Sequence, residues 1–255
     1  MPNAISTVDP KEIEHHSSLK NFWWNENGEV KPLHTFNPVR LEFVRKGLAD
    51  IGFESRDPTL PLSGIKIADV GCGGGILTEY LARAGAQVTG IDAATELIDV
   101  AKEHVKLDPN ISDRVTYFCT TIEEFSQNNE DSYDALIASE VVEHVADPEL
   151  FLKECVKVVK PGGSIFVTTI NKTLAAWLGA IIIVEYICKC VPCGTHQWSK
   201  FIAPEEIQHI LDKYDCKTEL IDGIFFNPLS YQWSFSSYKG IFYALHAVKQ
   251  KKIDA

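Results

Sequence analysis

Residues 68–75 read Ala68-Asp69-Val70-Gly71-Cys72-Gly73-Gly74-Gly75, and this glycine-rich stretch decides the fold class. The short apolar run at residues 65–70 predicts a strand leading into it, and the pattern of residues 76–84 predicts a helix after it. Glycines let the backbone turn tightly and approach a ligand that a Cβ atom would exclude. The amides at the start of the helix can then face a carboxylate or a phosphate. The stretch therefore predicts a nucleotide-binding loop rather than an ordinary strand-to-helix turn.

The spacing of the glycines bears on which nucleotide this loop binds. A dinucleotide fingerprint has the form G-x-G-x-x-G, whereas the glycines here follow G-x-G-x-G, two residues after Asp69. Asp92 ends the next predicted strand, where a carboxylate can accept hydrogen bonds from both hydroxyls of a ribose. That carboxylate does not discriminate between NAD and other adenosine cofactors. An NAD(P)-dependent oxidoreductase therefore stays as an alternative, although the loop lacks its full fingerprint and no Tyr-x-x-x-Lys pair follows.

Strands and helices alternate along the chain on the C-terminal side of this loop. We predict strands at residues 65–70, 87–91, 114–118, 133–138, 164–170, 216–221 and 240–248. Helices are predicted at residues 76–84, 95–107, 148–159 and 204–214. Such alternation forms a parallel sheet with right-handed crossovers. The predicted fold class is α/β and Rossmann-like, with a seven-stranded, mostly parallel sheet and helices on both faces.

The first 60 residues precede this alternation, and we expect them to form a helical arm over the cofactor cleft. One helix would carry the aromatic residues 22–24 and end at Pro32. A second helix would open at Pro38, with Asn37 as its N-cap. Residues 61–255 would form the main domain. The lead-in is polar and acidic and does not resemble a targeting peptide, so an imported protein would begin here after its presequence.

Residues 174–191 form the most apolar stretch of the chain and approach the length of a membrane span. Glu185 and Lys189 interrupt the stretch, which disfavours a full span. Two interpretations stay open: a buried helix of an inserted cap, or a helix at a membrane surface, which aromatic side chains beside Lys189 would suit. We expect residues 172–200 to be an apolar helical insertion after the fifth strand.

A polar cluster follows the fourth predicted strand, in the segment Ser139-Glu140-Val141-Val142-Glu143-His144. Glu140, Glu143 and His144 stand at positions i, i+3 and i+4, which predicts one side of a helix turn. They lie at the carboxyl end of a central strand, where open α/β sheets bind ligands. Two carboxylates and an imidazole can hold a divalent cation, and an oxygen-rich set suits Mg²⁺ or Mn²⁺, with Zn²⁺ as a further choice. Without a metal, His144 could act as a general base, or the cluster could simply be a polar helix face.

Composition excludes some classes of function. The formal charge of −11 over 255 residues argues against a nucleic-acid-binding protein, because phosphate contacts need clustered Lys and Arg. Cys188, Cys190 and Cys193 lie close together, but no second Cys or His pair completes a structural zinc site, and reduced thiols are the preferred interpretation. His15 and His16 are interpreted as a solvated pair.

The glycine loop and its acidic neighbour closely resemble motif I of the class I S-adenosylmethionine (SAM)-dependent methyltransferases. Over nearly its whole length the chain resembles, more narrowly, the ubiquinone-biosynthesis O-methyltransferases of bacteria and mitochondria. The segments that carry this resemblance are Phe22-Trp23-Trp24, Pro32-Leu33-His34, Asn37-Pro38-Val39-Arg40, the glycine loop, Glu140 to His144, and Gly194-Thr195-His196-Gln197-Trp198.

The resemblance implies that SAM is the cofactor. The residues it implies for the cofactor site are Arg40, Asp69, Gly71, Gly73, Gly75, Asp92, Ile122, Glu123 and Ser139. In the family, the arginine reaches the cofactor's carboxylate and the acid before the loop helps to orient its ammonium group. The segment holding Ile122 and Glu123 lies where the family places residues against the adenine.

The resemblance also implies a substrate and a metal. Relatives methylate a phenolic hydroxyl of a polyprenylated dihydroxybenzoate or hydroxyquinol, and Mg²⁺ or another divalent cation is attributed to Glu140, Glu143 and His144. Contact with membrane lipid and with other ubiquinone-biosynthesis proteins would follow. The location would be the matrix face of the mitochondrial inner membrane, or alternatively the bacterial cytoplasm at its membrane. A different small-molecule SAM methyltransferase, or a non-catalytic, methyltransferase-like lipid-binding subunit, would also be compatible with these motifs.

Overall fold

The structure is a computed structural model that describes residues 6–176, 200–227 and 229–251. These residues form one sheet of eight strands. The strands are β1 (Lys66–Val70), β2 (Gln87–Asp92), β3 (Val115–Cys119), β4 (Tyr133–Ser139), β5 (Val159–Ile170), β6 (Cys216–Asn227), β7 (Gln232–Ser236) and β8 (Phe242–Lys249). Their order across the sheet is β3-β2-β1-β4-β5-β8-β6-β7.

The topology is that of a doubly wound α/β sheet with an antiparallel extension. Strands β1 to β5 pair in parallel. Strand β8 runs antiparallel to β5, and β6 runs antiparallel to both β8 and β7. Because β1 lies between β2 and β4, the chain reverses its direction of winding there. The carboxyl ends of β1 and β4 therefore form the crevice in which such sheets bind ligands.

Helices cover the sheet on both faces, as the sequence predicts. They are α1 (Pro10–Ser18), α2 (Lys31–Asp50), α3 (Ile76–Arg83), α4 (Thr95–Val105), α5 (Ile122–Ser126), α6 (Pro148–Val158) and a seventh, α7 (Pro204–Lys213). Successive residues of a strand point to opposite faces. Accordingly Ile67 of β1 joins the hydrophobic cluster that contains Phe43 of α2, and its neighbour Ala68 joins the cluster that contains Leu152 of α6. The two layers bury the apolar faces of the helices and fix the crevice between them.

The predicted count of seven strands is too low, because β7 is an additional edge strand. Strand β7 pairs with β6, which itself continues past the predicted end at residue 221 to Asn227. Only Trp233 and Phe235 are apolar in the sequence of β7, and the strand is largely exposed. Its sequence Gln-Trp-Ser-Phe-Ser alternates polar and apolar residues, so a period-2 signal is present, but it extends over only five residues and includes only two apolar side chains.

The predicted N-terminal boundaries are wrong. Helix α2 begins at Lys31, and Pro32 lies in its first turn instead of ending a helix. Proline is tolerated there because the first amides of a helix have no partner inside it. Pro38 lies within α2, and Asn37 is not its N-cap: Nδ2 of Asn37 donates to the carbonyl of Ile76 at 3.1 Å. Before α2, residues Lys20–Phe22 form a short 3₁₀ helix that is separate from α1. Trp23 and Trp24 follow this helix.

The predicted apolar insertion falls mostly on residues 177–199, which lie outside the described part of the chain, as do the cysteines of that region and the Gly194 to Trp198 segment. Among the helices that are described, none combines the length and the apolar character needed to cross a membrane.

Candidate active site

A cavity of about 420 Å³ opens at the carboxyl ends of β1, β2 and β4. The glycine loop, Asp92 and the segment after β4 line it, together with residues of α1 and α2. The sequence-predicted residues among its lining are Arg40, Asp69, Gly71, Gly73, Asp92, Ile122, Glu123, Ser139, Glu140, Glu143 and His144. The structure therefore brings the predicted catalytic cluster and the predicted cofactor residues other than Gly75 into a single cavity. A Cβ atom on Gly75 would lie 2.2 Å from Oη of the buried Tyr117, so Gly75 faces the core instead.

The glycine loop adopts a backbone that other residues rarely take. Gly71, Gly73 and Gly75 have φ values of 70°, 54° and 91°, in the left-handed region that glycine enters without steric cost. A Cβ atom on Gly73 would lie 2.4 Å from Cζ2 of Trp23, which is buried against the loop. The amide of Gly73 donates to Oδ2 of Asp92 at 2.9 Å. The loop is thus held between the N-terminal region and the end of β2.

Asp69 and Asp92 present buried carboxyl groups on either side of the loop. Burial raises the pKa of Asp69 to about 6, against the opposing effects of a hydrogen bond from Thr78 and of the nearby charge of Arg40. Oδ2 of Asp69 accepts that bond from Oγ1 of Thr78 at 2.5 Å. Burial also raises the pKa of Asp92, whose Oδ1 accepts from the amide of Ala94 at 2.8 Å. Both groups are oriented before any ligand binds.

Arg40 crosses from α2 to the end of β4. Its Nη1 donates to Oγ of Ser139 at 3.2 Å and its Nη2 donates to the carbonyl of Leu33 at 2.7 Å. Nη2 also donates to Oδ1 of Asn37. Burial lowers the pKa of Arg40 to about 10, so the guanidinium keeps its charge at neutral pH. Its Nε is buried and has no hydrogen-bond partner among the described residues, which leaves a donor for a ligand.

Ile122 and Glu123 open the short helix α5 after β3. Oγ1 of Thr121 caps this helix by accepting from the amide of Glu124 at 3.3 Å. Ile122 is buried. Oε1 of Glu123 accepts from the amide of Thr7 at 2.9 Å, and its Oε2 is buried without a partner in the part of the chain that the structure describes. Glu123 therefore holds the N-terminal arm as well as lining the cavity.

The segment after β4 differs from its predicted geometry. Glu140 has a φ of 57°, and only Val142–His144 form a single 3₁₀ turn, so the predicted α-helical i, i+3, i+4 face is wrong. Oε1 of Glu140 accepts from Oγ1 of Thr168 at 2.9 Å. Oε2 of Glu143 accepts from Oγ1 of Thr169 at 2.8 Å. Threonines of β5, not a helix, hold the two carboxylates.

The charge of Glu143 affects the ionisation of Glu140. Burial raises the pKa of Glu140 to about 8, and the negative charge of the nearby Glu143 adds to that rise. Burial also raises the pKa of Glu143, against the opposing effect of His144. Two ionised acids in one cavity repel each other, and a nearby positive charge would relieve that repulsion.

His144 pairs with a residue that the sequence did not single out. Its Nδ1 lies 3.1 Å from Oε2 of Glu12 on α1. Burial lowers the pKa of His144, but the hydrogen bond to Glu12 and the charges of Glu143 and Glu12 outweigh that effect and raise it overall. The ring of His16 packs edge-on against that of His144, with centroids 5.3 Å apart. The interpretation of His16 as a solvated residue is therefore wrong. In the sequence, the only relevant signal is the i, i+4 spacing of Glu12 and His16, which places these two side chains on one face of a helix.

Comparison with known proteins agrees with this geometry. Residues 68–167 match the family described as Methyltransferase domain. The mitochondrial ubiquinone biosynthesis O-methyltransferase of Rattus norvegicus is 43% identical over 249 residues, which cover 98% of this chain and 72% of that protein. The ubiquinone biosynthesis O-methyltransferase of Rhizobium leguminosarum is 42% identical over 254 residues, 98% of each chain.

Solved structures resemble the chain in fold. The SAM-bound magnesium protoporphyrin IX methyltransferase of Synechocystis superposes with a TM-score of 0.61 at 17% identity, over 97% of this chain and 100% of that one. A SAM-dependent methyltransferase of Aquifex aeolicus superposes with a TM-score of 0.56 at 16% identity, over 95% of this chain and 99% of that one.

The sheet order and the glycine-loop site define a class I, SAM-dependent methyltransferase. Identity above 40% over nearly the whole chain narrows that class further. The chain belongs to the ubiquinone biosynthesis O-methyltransferase family. The fold class, the family and the SAM cofactor inferred from the sequence are thereby confirmed, and the choice between SAM and NAD(P) is decided for SAM.

Proposed function

We propose that this chain transfers the methyl group of SAM to a phenolic hydroxyl of a polyprenylated catechol or hydroquinol in ubiquinone biosynthesis. The observation that carries the proposal is the single cavity that joins the glycine loop to Glu140, Glu143 and His144. A methyl donor and a phenol bound in that cavity would lie beside side chains that can accept the phenol's proton. The names of the relatives supply the pathway.

Arg40, Asp69 and Asp92 would bind the polar ends of SAM. The buried guanidinium of Arg40 has an unpaired Nε among the described residues and suits the methionine carboxylate. Asp69, on the opposite side of the loop, would attract the ammonium group. Asp92, at the end of β2, would accept hydrogen bonds from the ribose hydroxyls. Gly71 and Gly73 line the cavity and would let the cofactor pass close to the backbone. Gly75, with a φ of 91°, would shape the same loop from the side of the core.

Ile122, Glu123 and Ser139 would complete the cofactor site. Ile122 offers a buried apolar surface to the adenine ring. Oε2 of Glu123 is buried without a partner in the described ranges and could accept a hydrogen bond from the adenine's amino group. Ser139, fixed by Arg40 and by Oγ1 of Thr168 at 2.8 Å, marks the boundary between cofactor and acceptor.

The reaction itself is an in-line displacement. The phenolic oxygen forms a bond to the methyl carbon while the bond from that carbon to sulfur breaks. The electron pair of that bond goes to sulfur and leaves S-adenosylhomocysteine. His144 is the residue placed to accept the phenol's proton: because its Nδ1 faces Glu12, the acceptor would be Nε2. Holding the two reactants in line would supply most of the acceleration.

In the metal-dependent alternative, Glu140, Glu143 and His144 would hold Mg²⁺ or another divalent cation, and His144, as a ligand, would not be the base. The chemistry of these side chains supports such an ion, because two carboxyl groups and an imidazole line the same cavity. Their ligand atoms do not form a close group as they stand: among the described residues, the trio with ligand atoms within 4.8 Å of one another is Glu12, His16 and His144. Glu140 and Glu143 would therefore have to move toward His144 to share an ion with it. When bound, the cation would favour the phenolate form of a catechol. The residues would orient the catechol so that the reacting oxygen faces the methyl group.

The acceptor's tail and location are further parts of the proposal. Aromatic side chains of β6 to β8 line the same cavity at Phe226, Trp233 and Phe242, a surface suited to the apolar part of a prenylated ring. Residues 172–200 would contact membrane lipid, on the strength of their apolar sequence. A mitochondrial enzyme at the matrix face of the inner membrane, working beside other ubiquinone-biosynthesis proteins, is favoured; relatives carry both mitochondrial and bacterial names.

The experiment is methyl transfer from labelled SAM to a short-chain prenylated dihydroxybenzoate, run with magnesium and then with a chelator. Product formed only with metal supports the cation site and the catechol mechanism. Product that survives thorough chelation supports methyl transfer with His144 as a metal-free base and overturns the cation site. Glu140→Gln should lose the metal-dependent rate, while Glu54→Gln, an exposed residue far from the cavity lining, should keep it. No product despite measurable SAM binding would move the function to another acceptor or to a non-catalytic subunit.

A further inference from the structure

We infer that helix α1 completes the cation site: Glu12 and His16 are ligands that close over the ion together with His144. This inference rests on the proposed presence of a divalent cation at His144. It assigns a new role to the N-terminal helix, because closing the arm and binding the cation become one coupled event.

The three side chains have the spacing of a metal site. One ligand atom from each of Glu12, His16 and His144 can be chosen so that all lie within 4.8 Å of one another. Metal–ligand bonds of about 2.1 Å place neighbouring donors about 3 Å apart and opposite donors about 4 Å apart. The 3.1 Å between Oε2 of Glu12 and Nδ1 of His144 matches neighbouring donors. A small movement of α1 would bring all three onto one ion.

The local structure of α1 orients two of these groups. Glu12 and His16 stand four residues apart on one face of the helix. Nδ1 of His16 lies 2.9 Å from the carbonyl of Glu12, a hydrogen bond that places the ring proton on Nδ1. Metal-binding histidines commonly make this kind of bond with the nitrogen that does not bind the metal. With the proton on Nδ1, Nε2 is the nitrogen of His16 that would bind a cation.

Contacts on both sides of α1 hold it over the cavity. The amide of Ala146 donates to the carbonyl of Thr7 at 2.8 Å. Nζ of Lys200 lies 3.0 Å from Oδ2 of Asp9 and 2.9 Å from Oε1 of Glu12. Lys200 therefore contacts one oxygen of Glu12, while the other oxygen is directed to His144. Closure of α1 over the cavity would therefore leave Oε2 of Glu12 directed to the ion.

The cavity that contains Glu12, His16 and His144 also contains the carboxyl groups of Glu140 and Glu143. The charge of Glu12 affects the ionisation of Glu143. A set with two imidazoles prefers Mn²⁺, Co²⁺ or Zn²⁺ to Mg²⁺, which favours oxygen ligands alone. Tighter binding of Mn²⁺ than of Mg²⁺ is therefore a direct consequence of including α1.

Calorimetric titration of Mn²⁺ into the metal-free full chain, without SAM or acceptor, tests the inference. Glu12→Gln and His16→Asn should each weaken Mn²⁺ binding at least about ten-fold, the least effect expected for losing a ligand. Glu14→Gln is the matched control, because it removes the same charge from an exposed position of the same helix, and it should bind as the wild type does. Far-ultraviolet circular dichroism on each variant confirms that the fold is kept.

The variant Lys200→Met tests whether α1 supplies metal ligands or acts only through its position. It removes the ion pair that fastens α1 but keeps every proposed ligand, so Mn²⁺ binding should stay within about five-fold, the scale of a partly exposed ion pair. If Lys200→Met weakens binding as much as Glu12→Gln, the arm acts by position alone and the inference is wrong.

Glu140→Gln distinguishes failure of this inference from failure of the proposed function. Binding that is lost in Glu140→Gln but unchanged in Glu12→Gln and His16→Asn leaves the proposed cation site standing and overturns the role of α1. Binding that is lost in the α1 variants but kept in Glu140→Gln supports the role of α1 and overturns the proposed ligand set. If the wild type binds no Mn²⁺, both proposals fail.

Discussion

The guanidinium of Arg40 donates from Nη1 to Oγ of Ser139 across 3.2 Å, joining helix α2 to the end of strand β4. Arg40 is buried, and Leu33 and Asn37 of its own helix hold it from the other side. The N-terminal region is therefore part of the cavity wall rather than a separate appendage. A charged group fixed before the ligand arrives loses little freedom on binding, which favours tight recognition of a carboxylate.

Replacing Arg40 should weaken cofactor binding selectively. In Arg40→Gln the buried charge opposite Asp69 and the donor for the methionine carboxylate are both lost, so the Kd for SAM should rise about 30-fold or more, the effect of breaking a buried charge pair. Arg45→Gln on the same helix removes an exposed charge paired with Glu42 and should bind SAM as the wild type does. Isothermal titration with SAM measures both; equal affinities would contradict the role given to Arg40.

The glycine loop predicts a contrast between two alanine substitutions. At Gly73, φ is 54° and a Cβ would lie 2.4 Å from Trp23, so Gly73→Ala combines backbone strain with a clash. At Gly52, φ is 86° and nothing lies within 4 Å of the Cβ position, so Gly52→Ala carries the strain alone, about 1–2 kcal/mol. Urea unfolding should show the larger loss of stability for Gly73→Ala, and only that variant should lose SAM binding. If Gly52→Ala also lost SAM binding, the loss in Gly73→Ala would reflect destabilisation of the whole fold rather than a role of the loop in binding SAM.

Asp69 should make SAM binding weaken as the pH falls. Burial raises the pKa of Asp69 to about 6, so at neutral pH the free protein carries the negative charge that attracts the ammonium group. Below pH 6 this carboxylate becomes protonated, and at pH 5 the Kd should be about ten-fold higher than at neutral pH. Asp69→Asn should bind weakly with a flatter profile. An unchanged slope in that variant would assign the pH dependence to another group, such as Asp92.

His246 should contribute to acid unfolding. It is buried, its Nε2 lies 2.9 Å from Oγ of Ser164, and burial lowers its pKa from 6.5 to about 4. A histidine with a lowered pKa stabilises the fold fully above pH 6.5, and this contribution is lost as the pH falls toward 4. Between pH 7 and pH 4.5 the unfolding free energy of the wild type should fall about 2–3 kcal/mol more than that of His246→Gln. Urea unfolding at the two pH values measures the difference; parallel losses would show that His246 is not the titrating group.

Much of the fold could be predicted because its signals are local. A short apolar strand such as β1, followed by glycines and an amphipathic helix, predicts its own structure from adjacent residues. The edge strand β7 has a weaker local signal, a polar–apolar alternation of five residues with only two apolar side chains. The start of α2 was missed because proline is read as a helix breaker, although Pro32 stands in a first turn, where it is tolerated.

The residues of the site also fall into those that the sequence predicts and those that it does not. Residues of the glycine loop and Asp92 are predicted by their positions at strand ends, which the topology brings together. Glu12 and His16 could not be found, because their partner His144 is distant in sequence and only the path of the arm places them beside it. Glu140 and Glu143 were identified, but their support by threonines of β5 depends on a non-helical backbone at Glu140 that the sequence does not reveal.

Phenolic O-methylation can be followed with a trideuterated methyl group that is transferred from SAM to a short-chain prenylated dihydroxybenzoate. Nuclear magnetic resonance and mass spectrometry of the product locate the label, and S-adenosylhomocysteine is quantified alongside. We expect one labelled methyl per turnover, on a ring oxygen, with S-adenosylhomocysteine formed in equal amount. A label on carbon, or saturable SAM binding without any labelled product, would contradict phenolic O-methylation by this cavity.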